Sequence, residues 1–149
     1  MQKKLAPLVA LAAAALTLSA GAAGGTRMSS MTFTAVLNAG QEVQPRPVHV
    51  MSGASGKFTA TLTGTSLKWT LTFAHLTGAA TAAHIHAAKK GVAGAVIVPL
   101  CGPCKSPVSG TATVTTAEIA SMKAGGTYVN VHTVKNPSGE IRGQIKMGM

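Results

Sequence analysis

Residues 57–73 read KFTATLTGTSLKWTLTF, and this stretch decides the fold. Apolar and polar side chains alternate on both sides of a short GTS segment. Alternation with a period of two is typical of a strand that buries one face. Two such strands joined by a short turn form an antiparallel hairpin. The residues predicted to face the core are Phe58, Ala60 and Leu62 in the first strand and Leu67, Trp69, Leu71 and Phe73 in the second.

Further strands are predicted on both sides of this hairpin. They are runs of β-forming residues between Gly- and Pro-rich segments, and they cover residues 31–38, 81–86, 95–100, 111–115, 127–134 and 140–147. One short helix is predicted after Thr115, which forms a capping box with Glu118. It ends at the glycines that follow. The sequence thus predicts an all-β fold, an antiparallel Greek-key β-sandwich of about seven or eight strands with one helix in a connection.

The start of the chain is typical of a secretory signal peptide. Two lysines precede an apolar run over residues 5–18, and small residues follow it. The run is short for a membrane span, and no cysteine lies near the cut site, as a lipoprotein would need. We therefore expect a periplasmic or secreted protein of the Sec type with no membrane span in its mature form. The expected segments are a signal peptide at 1–22, a flexible leader at 23–30 and one domain at 31–149.

The composition is strongly basic and narrows the classes of function. The chain has 13 Lys and Arg against 3 Asp and Glu, a formal net charge of +10. The basic residues are scattered and aromatic residues are few, so no specific nucleic-acid partner is predicted. The acids are Glu42, Glu118 and Glu140, too few to favour calcium sites or paired-carboxylate catalysis. A nucleophilic hydrolase is disfavoured because no G-x-S-x-G elbow is present.

The two cysteines lie in a CGPC motif at residues 101–104. The same four letters mark thioredoxin-like redox sites, which need a cysteine at the start of a helix. Here Pro107 and the lack of a helical period argue against such a helix. In an oxidising compartment, close cysteines usually join. We predict a local structural disulfide between Cys101 and Cys104, with a redox pair and metal ligation as the lesser alternatives.

The histidines predict the candidate site. In the strand TAAHIH, His84 and His86 share one face, about 7 Å apart along the backbone. His132 lies on the polar face of the later strand TYVNVHT. If the two strands are close, three imidazoles converge, an arrangement that suits copper or zinc. The alternative is that these histidines are exposed or hydrogen-bonded polar residues on a strand edge. His75 and His49 are the candidates for a fourth ligand, and a packing role is favoured for His75.

Three segments resemble the CHRD domain, a family named for repeats in the developmental antagonist chordin and common as a single exported bacterial domain. The last of them carries the most specific motif, in which Asn130, His132 and Asn136 stand where the family has them. This resemblance implies a β-sandwich and no settled activity. The segments are FTAVLNAGQEV at 33–43, LTGAATAAHIHAAKKGVAGAVIVPL at 76–100 and YVNVHTVKNPSGEIRGQI at 128–145.

A weaker similarity is to copper–zinc superoxide dismutases. These enzymes place two copper ligands as H-x-H on one strand and another near the end of a later V-x-H strand, before a G-x-R segment. His84, His86 and His132 come in that order here. Arg142 stands in the place of the arginine that guides the substrate electrostatically. The alternative for Arg142 and Glu140 is that they face outward on the last strand and make exposed cross-strand pairs. The aspartate of the zinc half-site is missing, because the chain has no Asp.

Two functions from different classes are compatible with these features. The first is a non-enzymatic exported module that binds a protein or a component of the cell envelope, since no complete catalytic set is visible. The second is a small metalloprotein with copper, or as the lesser alternative zinc, at His84, His86 and His132. Redox activity on superoxide would belong to this second function. The sequence favours the module as the general description, and metal binding is compatible with it.

Overall fold

Antiparallel strands make up most of the computed structural model, which describes residues 28–43 and 45–148. The predicted signal peptide and most of the predicted leader lie outside the described residues. Strand β1 begins at Ser30, one residue before its predicted start. The elements are β1 (Ser30–Asn38), β2 (Ser55–Thr63), β3 (Ser66–Ala74), β4 (Ala80–Ala87), β5 (Ala95–Cys101), β6 (Val108–Thr113), α1 (Thr116–Lys123), β7 (Thr127–Thr133), β8 (Ile141–Gln144) and β9 (Lys146–Met147).

The predicted hairpin is confirmed and supplies much of the core. Strands β2 and β3 pair antiparallel from Thr63 opposite Ser66 to the far end of both strands. The alternation places one set of side chains inside, where burial of apolar area stabilises the fold. Trp69 is 4% exposed, and Phe73 is half-buried. The other predicted core residues of the hairpin, Phe58, Ala60, Leu62, Leu67 and Leu71, are buried.

The strands form one sheet that curls until it is nearly closed. Its order is β5-β4-β7-β8-β1-β2-β3-β6, and β9 pairs with β1 at Phe33 and Thr34. The all-β prediction with one helix is confirmed, with nine strands in the described residues where about seven or eight were predicted. The order is not sequential: β4 lies between β5 and β7, and β8 lies beside β1. The segment from β5 to β6 joins the two ends of the order.

Apart from shifts of one or two residues at strand ends, the structure differs from the predicted strand bounds in two places. Strand β6 begins at Val108 and includes residues that composition assigned to a loop, because pairing with β3 extends to Leu71 opposite Val108. The last predicted strand is split at Ile145, whose N–H bonds to the carbonyl of Thr127. The residues after Ile145 pair instead with β1. In both places, long-range pairing overrides the local pattern.

The helix forms as predicted. Both hydrogen bonds of the capping box between Thr115 and Glu118 are present. Beyond its last turn, Gly125 has a φ of +69°, a conformation that ends helices and favours glycine. In the part of the chain that the structure describes, no helix has the length and apolar character needed to cross a membrane.

The outer side of the sheet differs between its two halves. Over β4, β7 and β8, two segments cover the sheet, one after β1 and one between β4 and β5. Lys89 and Ala88 in the second segment accept bonds from Arg142 and Gln144 of β8. Over β1, β2, β3 and β6, the outward side chains are mainly exposed. The covered half holds the histidines, so these segments define the surroundings of the candidate site.

Gly110 of β6 packs against the ring of Trp69, so a larger side chain at position 110 is predicted to destabilise the fold. A Cβ at position 110 would lie 2.6 Å from a ring carbon of Trp69. We expect Gly110→Ala to lower the free energy of unfolding by about 1–3 kcal/mol, because the indole must shift in a packed core. Gly78→Ala is the matched control, since no atom lies within 4 Å of the place its new methyl group would occupy. Urea denaturation of both variants tests this, and equal stabilities would contradict it.

Candidate metal centre

Pairing between β4 and β7 brings the three predicted ligands together. Ala82 lies opposite His132, and His84 lies opposite Asn130. Alternate side chains share a face, so His84, His86 and His132 all project to the outer side of the sheet. One ring nitrogen from each lies within 4.8 Å of the other two. An ion about 2.0–2.1 Å from each nitrogen would draw the rings slightly closer.

The turn after β7 sets the tautomer of His132. Its Nδ1 lies 2.9 Å from the carbonyl oxygen of Pro137. A carbonyl oxygen only accepts, so Nδ1 carries the proton and Nε2 keeps its lone pair. Nε2 lies 3.1 Å from Nδ1 of His84, which therefore donates to it. A cation bound between these two nitrogens would take the place of that proton.

The segment after β4 sets the tautomer of His86 in the same way. Its Nδ1 donates to the carbonyl oxygen of Gly94 at 2.9 Å, which leaves the lone pair on Nε2. That Nε2 is buried and has no hydrogen-bond partner among the described residues. A buried polar atom without a partner is rare, and the lone pair of this nitrogen is available to a ligand. The ring stacks on Tyr128 at 4.8 Å between centroids, and the Tyr128 hydroxyl accepts from Gly94 N–H.

Burial keeps two of the rings neutral. Loss of solvent lowers the pKa of both His84 and His132 below its ordinary value of 6.5. The charge of a neighbouring ring lowers each pKa further, while the bond to the Pro137 carbonyl raises that of His132 and offsets part of the fall. Neutral imidazole is the form that binds metal ions. His84 and His132 are therefore in the form that binds metal ions at neutral pH.

The structure does not bring the candidate fourth ligands to this group. His75 is exposed just after β3, with a φ of +57° and its ring beside Gly53. The packing role favoured for His75 therefore does not fit its exposure. His49 is also exposed, with a φ of +52°. The group of nearby ligand atoms found among the described residues consists of His84, His86 and His132.

The cysteines are joined and stand apart from the histidines. Cys101 and Cys104 form a disulfide, as predicted, at the end of β5. The N–H of Cys104 bonds to the carbonyl of Ala80, the first residue of β4. The disulfide thus fastens the connection between β5 and β6 to the strand that carries two of the histidines.

Arg142 lies in a different environment from the one expected of an electrostatic guide. It was predicted to face outward in an exposed cross-strand pair or to steer an anion, but it is 1% exposed. Its guanidinium lies 3.4 Å over the ring of Tyr128 and donates to Lys89 O and Gln144 Oε1. Arg142 points to the outer side of the sheet, as the alternation along the strand predicted. The segment between β4 and β5 covers that side, and the side chain is therefore buried.

Glu42 lies in the same covered layer and is also buried. Burial raises the pKa of Glu42 to about 7, while the charge of Arg142 and a hydrogen bond from Asn130 lower it without cancelling that effect. Gly139 makes room for this carboxyl, because a Cβ there would meet Glu42 Oε1 and Asn130 Nδ2. The layer beside the histidines is thus a packed polar interior.

A second buried carboxylate, Glu140, holds the turn that orients His132. It accepts hydrogen bonds from the backbone N–H and the hydroxyl of Thr77, from the hydroxyl of Thr133 and from Nδ2 of Asn136, at 2.6–3.2 Å. Burial alone would raise the pKa of Glu140, but these hydrogen bonds outweigh it and keep the pKa below its usual value. The carboxylate is therefore ionised and fixed beneath the turn.

The role of Glu140 was not predicted from the sequence, which suggested an exposed cross-strand pair. Asn136 extends the network, because its side chain accepts from Val48 N–H at 2.7 Å and donates to Val48 O. The segment after β1 is thereby tied to the turn that carries Pro137. One sequence feature could have indicated this role. Glu140 is one of three acidic residues in the chain and directly follows a turn motif, and an acidic residue that is so rare suggests a specific role.

Comparisons with known proteins add one finding. The family model of the CHRD domain matches residues 33–145 of the chain. This range includes most of β1, all of β2 to β8 and the three histidines of the group. No curated protein and no solved structure matches the chain.

The raised pKa of Glu42 predicts a pH dependence of stability. Between pH 4.5 and about 7 the folded protein keeps a proton that the unfolded chain releases, so the free energy of unfolding falls as pH rises through this window. We expect Glu42→Gln to remove this fall, which is on the order of 2 kcal/mol. Denaturant unfolding at pH 5 and pH 8 measures it.

The control for this experiment is Glu118→Gln, because glutamine keeps the capping box of the helix. His84 and His132 change the free energy of unfolding in the opposite direction. Their pKa values are lowered in the folded protein, so the fold becomes less stable as pH falls below about 6.5. The difference between wild type and Glu42→Gln isolates Glu42 from them. Identical pH profiles for these two proteins would show that Glu42 ionises normally.

Proposed function

Because the chain belongs to the CHRD domain family, we propose that it is a binding module and that this member binds a copper ion through His84, His86 and His132. The observation that carries the proposal is the convergence of three ring nitrogens within 4.8 Å. Two of the rings have their tautomers set by backbone carbonyls. Such fixed orientation reduces the ordering that binding requires.

The donor set favours copper over zinc. All three donors are imidazole nitrogens, which suit both ions. Structural zinc sites are almost always closed by a fourth protein ligand, commonly cysteine, and both cysteines of this chain are in the disulfide. Among divalent ions, copper has the highest affinity for a given nitrogen site. An open set of three histidines also suits catalytic zinc, so the preference for copper rests on its higher affinity for nitrogen donors, with zinc as the more weakly bound ion.

Binding of the ion, rather than superoxide chemistry, is the proposed activity. An enzyme acting on superoxide would need a positive guide at an open site. Arg142, the residue considered for that task, is buried under the segment between β4 and β5. No observation in the described residues favours the redox alternative.

The compartment belongs to the proposal as well. The CHRD domain and the disulfide are consistent with an extracellular or periplasmic protein, since disulfides persist in oxidising compartments. We take the basic and apolar pattern of residues 1–22 as its Sec-type signal peptide.

Metal titration tests the proposed ligands. Isothermal titration of the tag-free protein with Cu(II) is expected to show one-to-one binding with a submicromolar Kd, and Zn(II) is expected to bind more weakly. We expect His132→Gln to weaken Cu(II) binding more than about 100-fold, because one of three ligands is lost.

The matched control is the double variant His49→Asn/His75→Asn. It removes two exposed histidines outside the group, and asparagine tolerates their positive φ. Its Kd should equal that of the wild type. Equal weakening in both variants, or no binding by the wild type, would overturn the proposal.

The lowered pKa of His84 and of His132 predicts how binding depends on pH. Protons compete with metal only below the pKa of each ring. We expect the Cu(II) Kd to change less with pH between 8 and 6.5 than it would for three solvent-exposed imidazoles, because His84 and His132 resist protonation in that range. A Kd that rises as much as three solvent-exposed imidazoles require would show that burial does not keep the rings neutral. Titrations at half-unit pH steps in a weakly coordinating buffer measure this.

A further inference from the structure

The exposed half of the sheet carries an array of hydroxyl groups far from the histidines in the strand order. Strands β1, β2, β3 and β6 lie side by side and turn their apolar residues inward. Most of their outward positions are Ser or Thr, and the others are Val36, Asn38, Lys57, Lys68 and Ala74. We define the hydroxyl face as Ser30, Thr32, Thr34, Thr59, Thr61, Thr63, Ser66, Thr70, Thr72, Ser109, Thr111 and Thr113.

The strand registers arrange these hydroxyls in rows. In one row Thr34 lies opposite Thr59, Thr59 opposite Thr70, and Thr70 opposite Ser109. Neighbouring strands are about 4.8 Å apart, and alternate residues along a strand are about 6.8 Å apart. The result is a regular grid of groups that can each donate and accept a hydrogen bond.

Most of the grid is available for binding. Among the described residues, Thr70 and Ser109 share a side-chain hydrogen bond at 3.0 Å, and Thr72 makes a long bond to Lys57 O. No other member of the hydroxyl face makes a side-chain bond within that part of the chain. The face is also shaped: a shallow concavity of about 450 Å³ lies over Thr32, Thr34, Thr59, Thr61, Lys68 and Thr70.

The charge on this face has a single sign. Lys57 and Lys68 point outward within the grid, and Lys146 pairs with Thr34 at its edge. The acidic residues of the chain all lie elsewhere: Glu42 follows β1, Glu118 is in α1, and Glu140 precedes β8. A ligand for this face therefore meets hydroxyls and ammonium groups and no carboxylate.

The chemistry of the face selects among classes of partner. Nucleic-acid binders stack bases on aromatic side chains, and the outward positions of these four strands hold none. Protein interfaces depend on buried aromatic and Arg anchors, which are also missing here. A membrane surface needs exposed apolar groups to insert, whereas the grid is polar. A polymer rich in hydroxyl groups and negative charge matches the hydroxyl and ammonium groups of the face.

We propose that the hydroxyl face binds an acidic polysaccharide, a chain of sugars that carry carboxylate groups. The sugar hydroxyls exchange hydrogen bonds with the threonine rows, and the carboxylates pair with Lys57 and Lys68. The shallow concavity spans β1, β2 and β3, and the hydroxyl rows continue onto β6, so a linear chain of several sugar units can lie across the strands. This surface is independent of the histidine group, so the protein would hold a metal ion on one half of its sheet and a glycan on the other.

The test uses alginate, a polyuronate, with dextran as the neutral comparison. Binding is measured by affinity electrophoresis and by calorimetry with the full chain at about 0.15 M salt, where long-range charge effects are screened. We expect alginate to bind and dextran to bind at least about tenfold more weakly. Lys57→Ala/Lys68→Ala is expected to weaken alginate binding about tenfold.

A charge-matched variant separates this proposal from the general attraction of a basic protein for polyanions. Lys105→Ala/Lys123→Ala removes the same charge from exposed positions off the face, and its Kd should stay within about twofold of the wild type. Equal weakening by the two lysine pairs would overturn the proposal. So would the absence of alginate binding by the wild type, or equal binding of dextran.

The hydroxyls are tested by Thr61→Val/Thr111→Val, which flank Lys68 in the register. Valine keeps the β-branched shape that suits a strand, and an unchanged thermal midpoint checks that the variant folds. We expect about tenfold weaker alginate binding. Wild-type affinity in this variant would overturn the role of the threonine rows. His132→Gln should bind alginate as the wild type does, so failure of the metal proposal would not affect this test.

Discussion

The antiparallel register between β4 and β7 is the constraint on which the histidine group depends. With Ala82 opposite His132, the three rings lie close together on the outer face of the sheet. A shift of one residue would turn the histidines into the apolar core and the core residues outward. The buried residues Ala83, Ile85, Val129 and Val131 oppose such a shift because it would expose them to water.

Ligand orientation comes from backbone carbonyls that the covering segments provide. Gly94 O and Pro137 O each accept a hydrogen bond from Nδ1–H of a histidine, which leaves the lone pair of that ring on Nε2. Glycine suits position 94, where a Cβ would collide with the backbone of Ala87. The Glu140 network holds the second carbonyl in place by fastening the turn around Asn136. The geometry of the centre therefore depends on buried polar bonds that do not involve the rings themselves.

One curled sheet carries two outer surfaces of different chemistry. Over β4, β7 and β8, loops cover polar side chains and create a layer in which Glu42, Arg142 and His86 are desolvated. Over β1, β2, β3 and β6, the same strand alternation leaves hydroxyls in water. Alternation decides which side chains point outward. A covering loop decides the surroundings of an outward side chain. With a loop, the side chain lies in a polar interior or a ligand site, and without one it is exposed to solvent.

The sequence by itself determined the local structure and the identity of the candidate ligands. The alternation in residues 57–73, the Thr115 capping box and the cysteine spacing predicted the hairpin, the helix and the disulfide, because each depends on residues close in the chain. The H-x-H spacing predicted that His84 and His86 share a face.

Only the tertiary structure decided which distant residues meet and which outward positions are buried. The strand order places β7 beside β4 and so brings His132 to the pair, while His75 lies elsewhere. Glu140 and Arg142 were predicted to be exposed, yet loops that no periodicity describes bury both. Contacts between distant segments depend on the sum of many long-range pairings, and a local pattern cannot contain that sum.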